Sequence, residues 1–231
     1  VPGGVLSRTG HTEGSTDLCR LAGLTESAVI CEVMNEDGTM ARKKALLDFS
    51  QKHNIKIGTI ADLINYRILN EKTVEKIEQK SVKTEYGKFN LILYKDLIFD
   101  ETHLVLQKGK ISKNSPTLVR VQQSNFFHDL LNIDEYGARW SVSDSMRKIN
   151  EAGKGIILLI DGENKKQDEF HEINASKKKR ITVPNNDPRR IGIGSQILRD
   201  LGVKKIKLLG SEVRYPSLSG FDLEVTEYIK K

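Results

Sequence analysis

The order in which strand-length apolar runs and helical-period stretches follow one another restricts the fold of this chain more than any other feature. Phe89 to Tyr94, His103 to Gln107 and Thr117 to Val121 are short runs separated by turn residues such as Lys108-Gly109 and Asn114-Ser115-Pro116. That punctuation predicts consecutive strands. Asp144 to Ala152 has helical spacing, Ile156 to Ile160 is a continuous apolar strand after Gly153 and Gly155, and Gly194 to Leu201 predicts another helix. Lys205 to Leu209 and Leu223 to Ile229 predict two closing strands. Strands that run consecutively early and alternate with helices late require mixed pairing, so the expected class is α/β with α+β character and a mixed sheet.

The first 69 residues have a different rhythm. Ala28 to Val33 is a β-branched apolar run, Ala41 to His53 is spaced as a helix, Ile55-Lys56-Ile57 reads as a second strand and Ile60 to Ile68 as a second helix. Asn70 to Lys83 alternates acidic and basic residues, with Val74 and Ile77 at i and i+3, and reads as a linker. Gly162 to Lys179, rich in Asn, Lys, Asp and Glu, reads as a flexible surface loop. The expected organisation is therefore 1–69, a linker at 70–83, and 84–231, with no internal repeat.

Composition narrows the function classes. A chain of 231 residues that is 38% hydrophobic and 29% charged buries one or two ordinary cores without a staple. Its two cysteines, Cys19 and Cys31, are too few for a disulfide framework and form no Cys-x-x-Cys pair, which points to a reducing cytoplasm. No apolar run approaches the roughly 20 residues that cross a bilayer, so no membrane association is expected. The formal net charge of +6 suits anionic metabolites better than nucleic acid, because aromatics make up only 6% and no helix-turn-helix or zinc-finger pattern occurs. Val1 is not a methionine, and the expectation is that a segment upstream is missing.

Arg8-Thr9-Gly10-His11-Thr12-Glu13 packs a guanidinium, two hydroxyls, a glycine, an imidazole and a carboxylate into six residues. Arg offers a planar fork for phosphate, Gly lets the backbone approach closely, and Thr adds a hydroxyl and an amide. His11 can present a neutral ring nitrogen to a divalent metal. The same residues also read as an ordinary helix start, with Thr12 or Ser15 as N-cap and the histidine exposed. Glu32, a lone acid amid Ala28 to Met34, is either a strand-edge residue or a site carboxylate.

Arg8 to Glu13, Asp17-Leu18, Leu21-Ala22-Gly23, Ile30 to Arg42 and Thr59 to Arg67 together resemble the closing third of 3,4-dihydroxy-2-butanone 4-phosphate synthase. The resemblance implies magnesium- or manganese-dependent conversion of ribulose 5-phosphate into formate and dihydroxybutanone phosphate. It implies His11 as metal ligand, Arg8, Thr9, Gly10 and Thr12 around the phosphate, and Glu32 as the residue that contacts substrate and moves protons. It implies a homodimer as well. The family's remaining ligands precede the point where this chain begins, so the chain alone is expected to be inactive.

Thr84 to Gly87, Leu118 to Val121 and Arg190 to Val203 resemble GTP cyclohydrolase II, whose chemistry uses a zinc held by three cysteines. Here Val121 is followed by Gln122-Gln123-Ser124-Asn125-Phe126-Phe127-His128, without cysteine. Asp187 and Arg189 match the positions of that family's proton acceptor and nucleophilic arginine. The resemblance implies a degenerate, folded domain in which zinc is not expected and which serves assembly or regulation. The competing expectation is residual GTP ring opening through Asp187, Arg189 and His128 or His171.

Overall fold

The computed structural model describes residues 1–123, 129, 139–160, 188–213 and 216–231. It contains two compact units, Val1–Asn70 and Glu71–Lys231.

In the first unit, a short 3-10 turn (Gly4–Leu6) precedes helices α1 (His11–Leu21), α2 (Lys43–His53) and α3 (Ile60–Asn70). Val5, Leu6 and Ile68 are its buried apolar side chains. Polar contacts do more of the joining. Asp17 on α1 accepts from the Val5 amide at 2.8 Å and from the Arg67 guanidinium on α3, also at 2.8 Å. Arg67 donates further to the Gly3 carbonyl at 2.6 Å. The Asp17–Arg67 pair is almost fully shielded, with 6% of each side chain exposed. Two glycines make this packing feasible. A Cβ on Gly4, whose φ is +58°, would lie 2.3 Å from the Asp17 carboxylate, and one on Gly14 would lie 2.7 Å from Ile60 Cδ1.

The sequence-based strands of this unit are corrected by the structure. Neither Ala28 to Val33 nor Ile55 to Ile57 is a strand, and Val29 is 99% exposed. A strand exists only as a member of a ladder, and the one pairing in this unit is the isolated bridge between Met34 and Met40. That bridge closes a tight hairpin in which Asp37 Oδ1 accepts from both the amide and the hydroxyl of Thr39. Those bonds, the hydroxyl's first, hold the Asp37 carboxyl below its usual range.

The second unit is a seven-stranded sheet: β1 (Val74–Thr84), β2 (Gly87–Asp96), β3 (Thr102–Lys108), β4 (Thr117–Gln123), β5 (Gly155–Ile160), β6 (Lys205–Leu209) and β7 (Glu224–Ile229), with spatial order β1-β2-β3-β5-β4-β6-β7. β1 to β3 form an antiparallel meander that continues antiparallel onto β5, whereas β5-β4, β4-β6 and β6-β7 are parallel. The sheet is mixed, as expected. The expected linker at 70–83 is corrected. Its residues from Val74 onward belong to edge strand β1, paired with β2 from Val74 opposite Asp96 to Thr84 opposite Gly87, with a register shift between Lys76 and Glu78. Gly162 to Lys179 lies outside the described residues.

Helix α4 (Val142–Ala152) covers one face, where Met146 and Ile149 meet Phe89, Leu118, Ile157 and Leu209. Each such burial stabilises the fold by about 1.5–3 kcal/mol. Helix α5 (Pro188–Asp200) approaches the alternate side chains of the same strands, because Gly194 sits against Ile160, Leu158 and Val121. The two-residue period of β5 thus serves a helix on each face.

Ser141 caps α4 by accepting from the Asp144 amide at 3.1 Å and donating to the Asp144 carboxylate at 2.9 Å. Ser141→Ala is expected to cost about 0.5–2 kcal/mol, and Ser141→Gly only a few tenths relative to the parent. The check is urea denaturation followed by Trp140, whose indole donates to the Ile229 carbonyl at 2.9 Å. Equal losses for the two variants would exclude the cap as the cause.

Candidate functional site

Gly10 is the extended residue that starts α1, with φ −100° and ψ 158°, and no side chain caps the helix. The N-cap is therefore neither Thr12 nor Ser15. The Ser15 hydroxyl instead donates back to the Thr12 carbonyl at 2.9 Å. Arg8, Thr9, His11 and Thr12 are exposed around this uncapped end, and Gly10 is half-buried. The positive end of a helix dipole, the His11 and Thr12 amides, a guanidinium and an imidazole all favour an anion here, although the Glu13 carboxylate already takes its own amide and faces Arg8.

Glu13 sets the geometry of this end. Its side chain is 3% exposed and folds back so that Oε2 occupies the place of a Gly10 Cβ, at 2.3 Å, while Oε1 lies 3.5 Å from Arg8. Its own backbone amide, and then the Arg8 guanidinium, hold the carboxyl below its usual range against the opposing effect of burial. Glu32 is exposed beside the Met34–Met40 hairpin. No hydrogen bond or ion pair joins Glu32 to His11. No local sequence pattern gives Asp17 or Arg67 a role. Their buried pair fixes the helix that presents His11 and Thr12.

In the second unit, the end of β4 is held by polar contacts. Arg120 donates to the Leu209 carbonyl at 2.8 Å and to Gln122 at 2.7 Å, and Gln122 donates to Asp129 at 2.9 Å. Arg189, in the first turn of α5, places its guanidinium 5.4 Å from the centre of the Phe99 ring. Asp187, His128 and His171 lie outside the described residues. Further along α5, Gln196 accepts from the Thr73 amide at 2.9 Å and Asp200 accepts from the Tyr94 hydroxyl at 2.7 Å. Burial, followed by that bond, pushes the Tyr94 phenol far above its usual range, so it remains a donor.

A thiolate zinc site does not fit this unit, because residues 84–231 contain no cysteine. A different donor set is present. Asp96, Glu101 and His103 bring one ligand atom each to within 4.8 Å of one another at the β2–β3 turn. No cysteine marks this trio in the sequence, although Asp, Glu and His lie within eight consecutive residues.

An α/β protein with a mixed sheet, an uncapped anion-favouring helix start and no thiolate site is the class defined so far. The GTP cyclohydrolase II family model matches residues 75–230, and the 3,4-dihydroxy-2-butanone 4-phosphate synthase model matches residues 1–66. The chain belongs to the GTP cyclohydrolase II family and carries a segment of the synthase family ahead of that domain. It is 47% identical, over 99% of its length, to a 3,4-dihydroxy-2-butanone 4-phosphate synthase of Pseudomonas aeruginosa, of which it covers 63%. It is 40% identical, over 99% of its length, to the riboflavin biosynthesis protein RibBA of Aquifex aeolicus, of which it covers 59%. A crystal structure of a two-domain 3,4-dihydroxy-2-butanone 4-phosphate synthase from A. baumannii superposes with a TM-score of 0.65 at 43% identity, covering 98% of this chain and 61% of that one. The chain thus spans about three fifths of the length of these relatives. Among its described residues, no helix is long and apolar enough to cross a membrane.

Proposed function

We propose that this chain is part of a riboflavin-biosynthesis enzyme that converts ribulose 5-phosphate into 3,4-dihydroxy-2-butanone 4-phosphate and formate, working in the cytoplasm as a homodimer. The observation that carries the reading is the α1 start. An uncapped helix end exposes His11 and Thr12 beside Arg8 and Thr9, with Gly10 kept bare by the inward turn of Glu13. Such an end suits a sugar phosphate: amides and Arg8 meet the dianion, and His11 is free to turn toward a cation.

The family implies magnesium or manganese. Of the residues present, His11 would supply one ligand, and Glu32 would contact the substrate and carry a proton. When bound, the metal would stabilise enediolate charge. One imidazole and one exposed carboxylate are a partial set, so the chain alone is expected to be inactive in this reaction. The relatives named as synthases match across the cyclohydrolase-like unit as well, which favours a second, non-catalytic role for that unit in assembly or regulation.

The test uses the full-length parent with ribulose 5-phosphate and magnesium, following formate. His11→Ala is expected to lower turnover by about three orders of magnitude or more while the circular dichroism spectrum is kept, since losing a metal contact removes several kcal/mol of charge stabilisation. Near-normal turnover in that variant would remove His11 from the site. Formate production by the chain as given would overturn the partial-site reading.

A further inference from the structure

We propose that Gln123 and Arg190 form an anion-binding site at the carboxyl end of β4 and β5, one that takes the phosphate or carboxylate group of a small metabolite. Neither residue is given a role by the cyclohydrolase resemblance, and the site does not depend on the synthase reading.

Two donors without acceptors carry the inference. Gln123 Nε2 and Arg190 Nη1 are both shut off from solvent, and neither has a hydrogen-bond partner among the described residues. The two side chains are otherwise half-buried, so each keeps a path to water. A buried donor left unpaired costs its full desolvation, and a guanidinium cannot escape by losing its proton. Such orphans are rare in folded proteins, and an unseen ligand is one of the few explanations for them.

The fold aims both donors at one place. Val121 Cγ1 lies 3.9 Å, and Ile160 Cδ1 3.2 Å, from where a Cβ on Gly194 would stand, so these side chains face α5. Gln123 is two residues beyond Val121 on β4, hence on the same face, and it is paired with Ile160. Arg190 precedes Gly194 by four residues, which puts it on the same side of α5, one turn or about 5.4 Å nearer the helix start. In the chain α5 lies between β5 and β6, both parallel to β4, so it runs back against the strands and starts at their carboxyl ends. Amide and guanidinium therefore converge just beyond the apolar layer of Val121 and Ile160. That end of the parallel strands is where open α/β sheets hold ligands.

Charge specifies the ligand. The first turn of α5 has Arg189 and Arg190 and no acidic residue, so two cations stand at the positive end of the helix dipole. An anion relieves that repulsion and supplies acceptors to both donors, which a cation or an apolar molecule cannot do. Phosphate and carboxylate each offer a guanidinium and an amide separate oxygens.

Inorganic phosphate and succinate are the probes. In 15N NMR spectra of the chain as given, one of them is expected to shift the Gln123 side-chain amide saturably, and Arg190→Met to weaken that binding at least about tenfold. A stronger response to phosphate assigns a phosphorylated metabolite, and a stronger response to succinate a carboxylic acid. Arg8→Ala is expected to leave the Gln123 response intact, which separates this site from the start of α1. Urea denaturation followed by Trp140 gives a second measure. Without anion, Arg190→Met is expected not to lower the midpoint, because it removes a donor that has no acceptor; with saturating anion, the midpoint should rise in the parent and not in the variant. Four results would overturn the proposal: no Gln123 shift with either anion, a shift that survives Arg190→Met, a shift lost with Arg8→Ala, or a midpoint lowered by Arg190→Met in anion-free buffer. The last would show that the fold itself supplies the partner.

Discussion

Supplied with GTP and zinc, the chain is expected to release no formate above the uncatalysed rate. Ring opening in the cyclohydrolase family relies on a zinc-bound water, and zinc lowers the pKa of that water by roughly eight to nine units. Three protein ligands must hold the ion while a fourth position stays open. Residues 84–231 contain no cysteine, and Cys19 and Cys31 both belong to the first unit. Arg189 lies over Phe99, and without an activated water it is expected to have no hydrolysis to assist. Zinc bound loosely at surface histidines and carboxylates would also register in elemental analysis, so the assay turns on product rather than metal content. Formate from GTP with repeated turnover would show that the domain keeps a rearranged active site.

Asp17→Ala is expected to destabilise the first unit by about 3–5 kcal/mol, the cost of stranding one partner of a buried ion pair. Arg67 would lose its 2.8 Å contact with the carboxylate and the Val5 amide its acceptor, both in a region shielded from water. The measurement is amide hydrogen exchange in α1 and α3, where protection should fall by at least about two orders of magnitude. Replacing both partners, as Asp17→Leu with Arg67→Met, should recover much of the loss, since an apolar pair leaves no buried charge. A loss under about 1 kcal/mol for Asp17→Ala would mean that water already screens the pair.

The elements legible in the sequence are those whose partners are close by. β2, β3 and β5 are apolar runs bounded by glycine and turn residues, and each sits in the middle of the sheet with a neighbour on both sides. β1 reads as a connector because almost none of its side chains is buried. Most of its side chains from Glu75 to Ser81 are exposed on both faces, so its sequence carries no two-residue alternation and resembles a charged connector. Ala28 to Val33 failed in the opposite sense. Its composition suits a strand, but nothing in the Val1–Asn70 unit offers it a ladder.

The candidate sites divide similarly. Arg8 to Thr12 could be found because chemically active residue types are crowded into one short segment, and the structure adds the reason for Gly10. The pairing of Asp17 with Arg67 spans fifty positions, which no local pattern encodes. Asp96, Glu101 and His103 were within reach of the sequence, but only the turn geometry around Asp100 folds them onto one point.

The strand order β1-β2-β3-β5-β4-β6-β7 also carries a consequence for how this domain is made. Its first three strands are sequential hairpin neighbours with low contact order, so they can pair soon after they leave the ribosome. The parallel half has no such shortcut. Arg120 on β4 waits for Leu209 on β6, 89 positions later, before its guanidinium finds the carbonyl that holds it. Until then the apolar edge of β4 has no neighbour from β6, a template for non-native strand addition. The nascent domain is thus most exposed to aggregation late in its synthesis, and slowing translation between β5 and β6 would lengthen that interval.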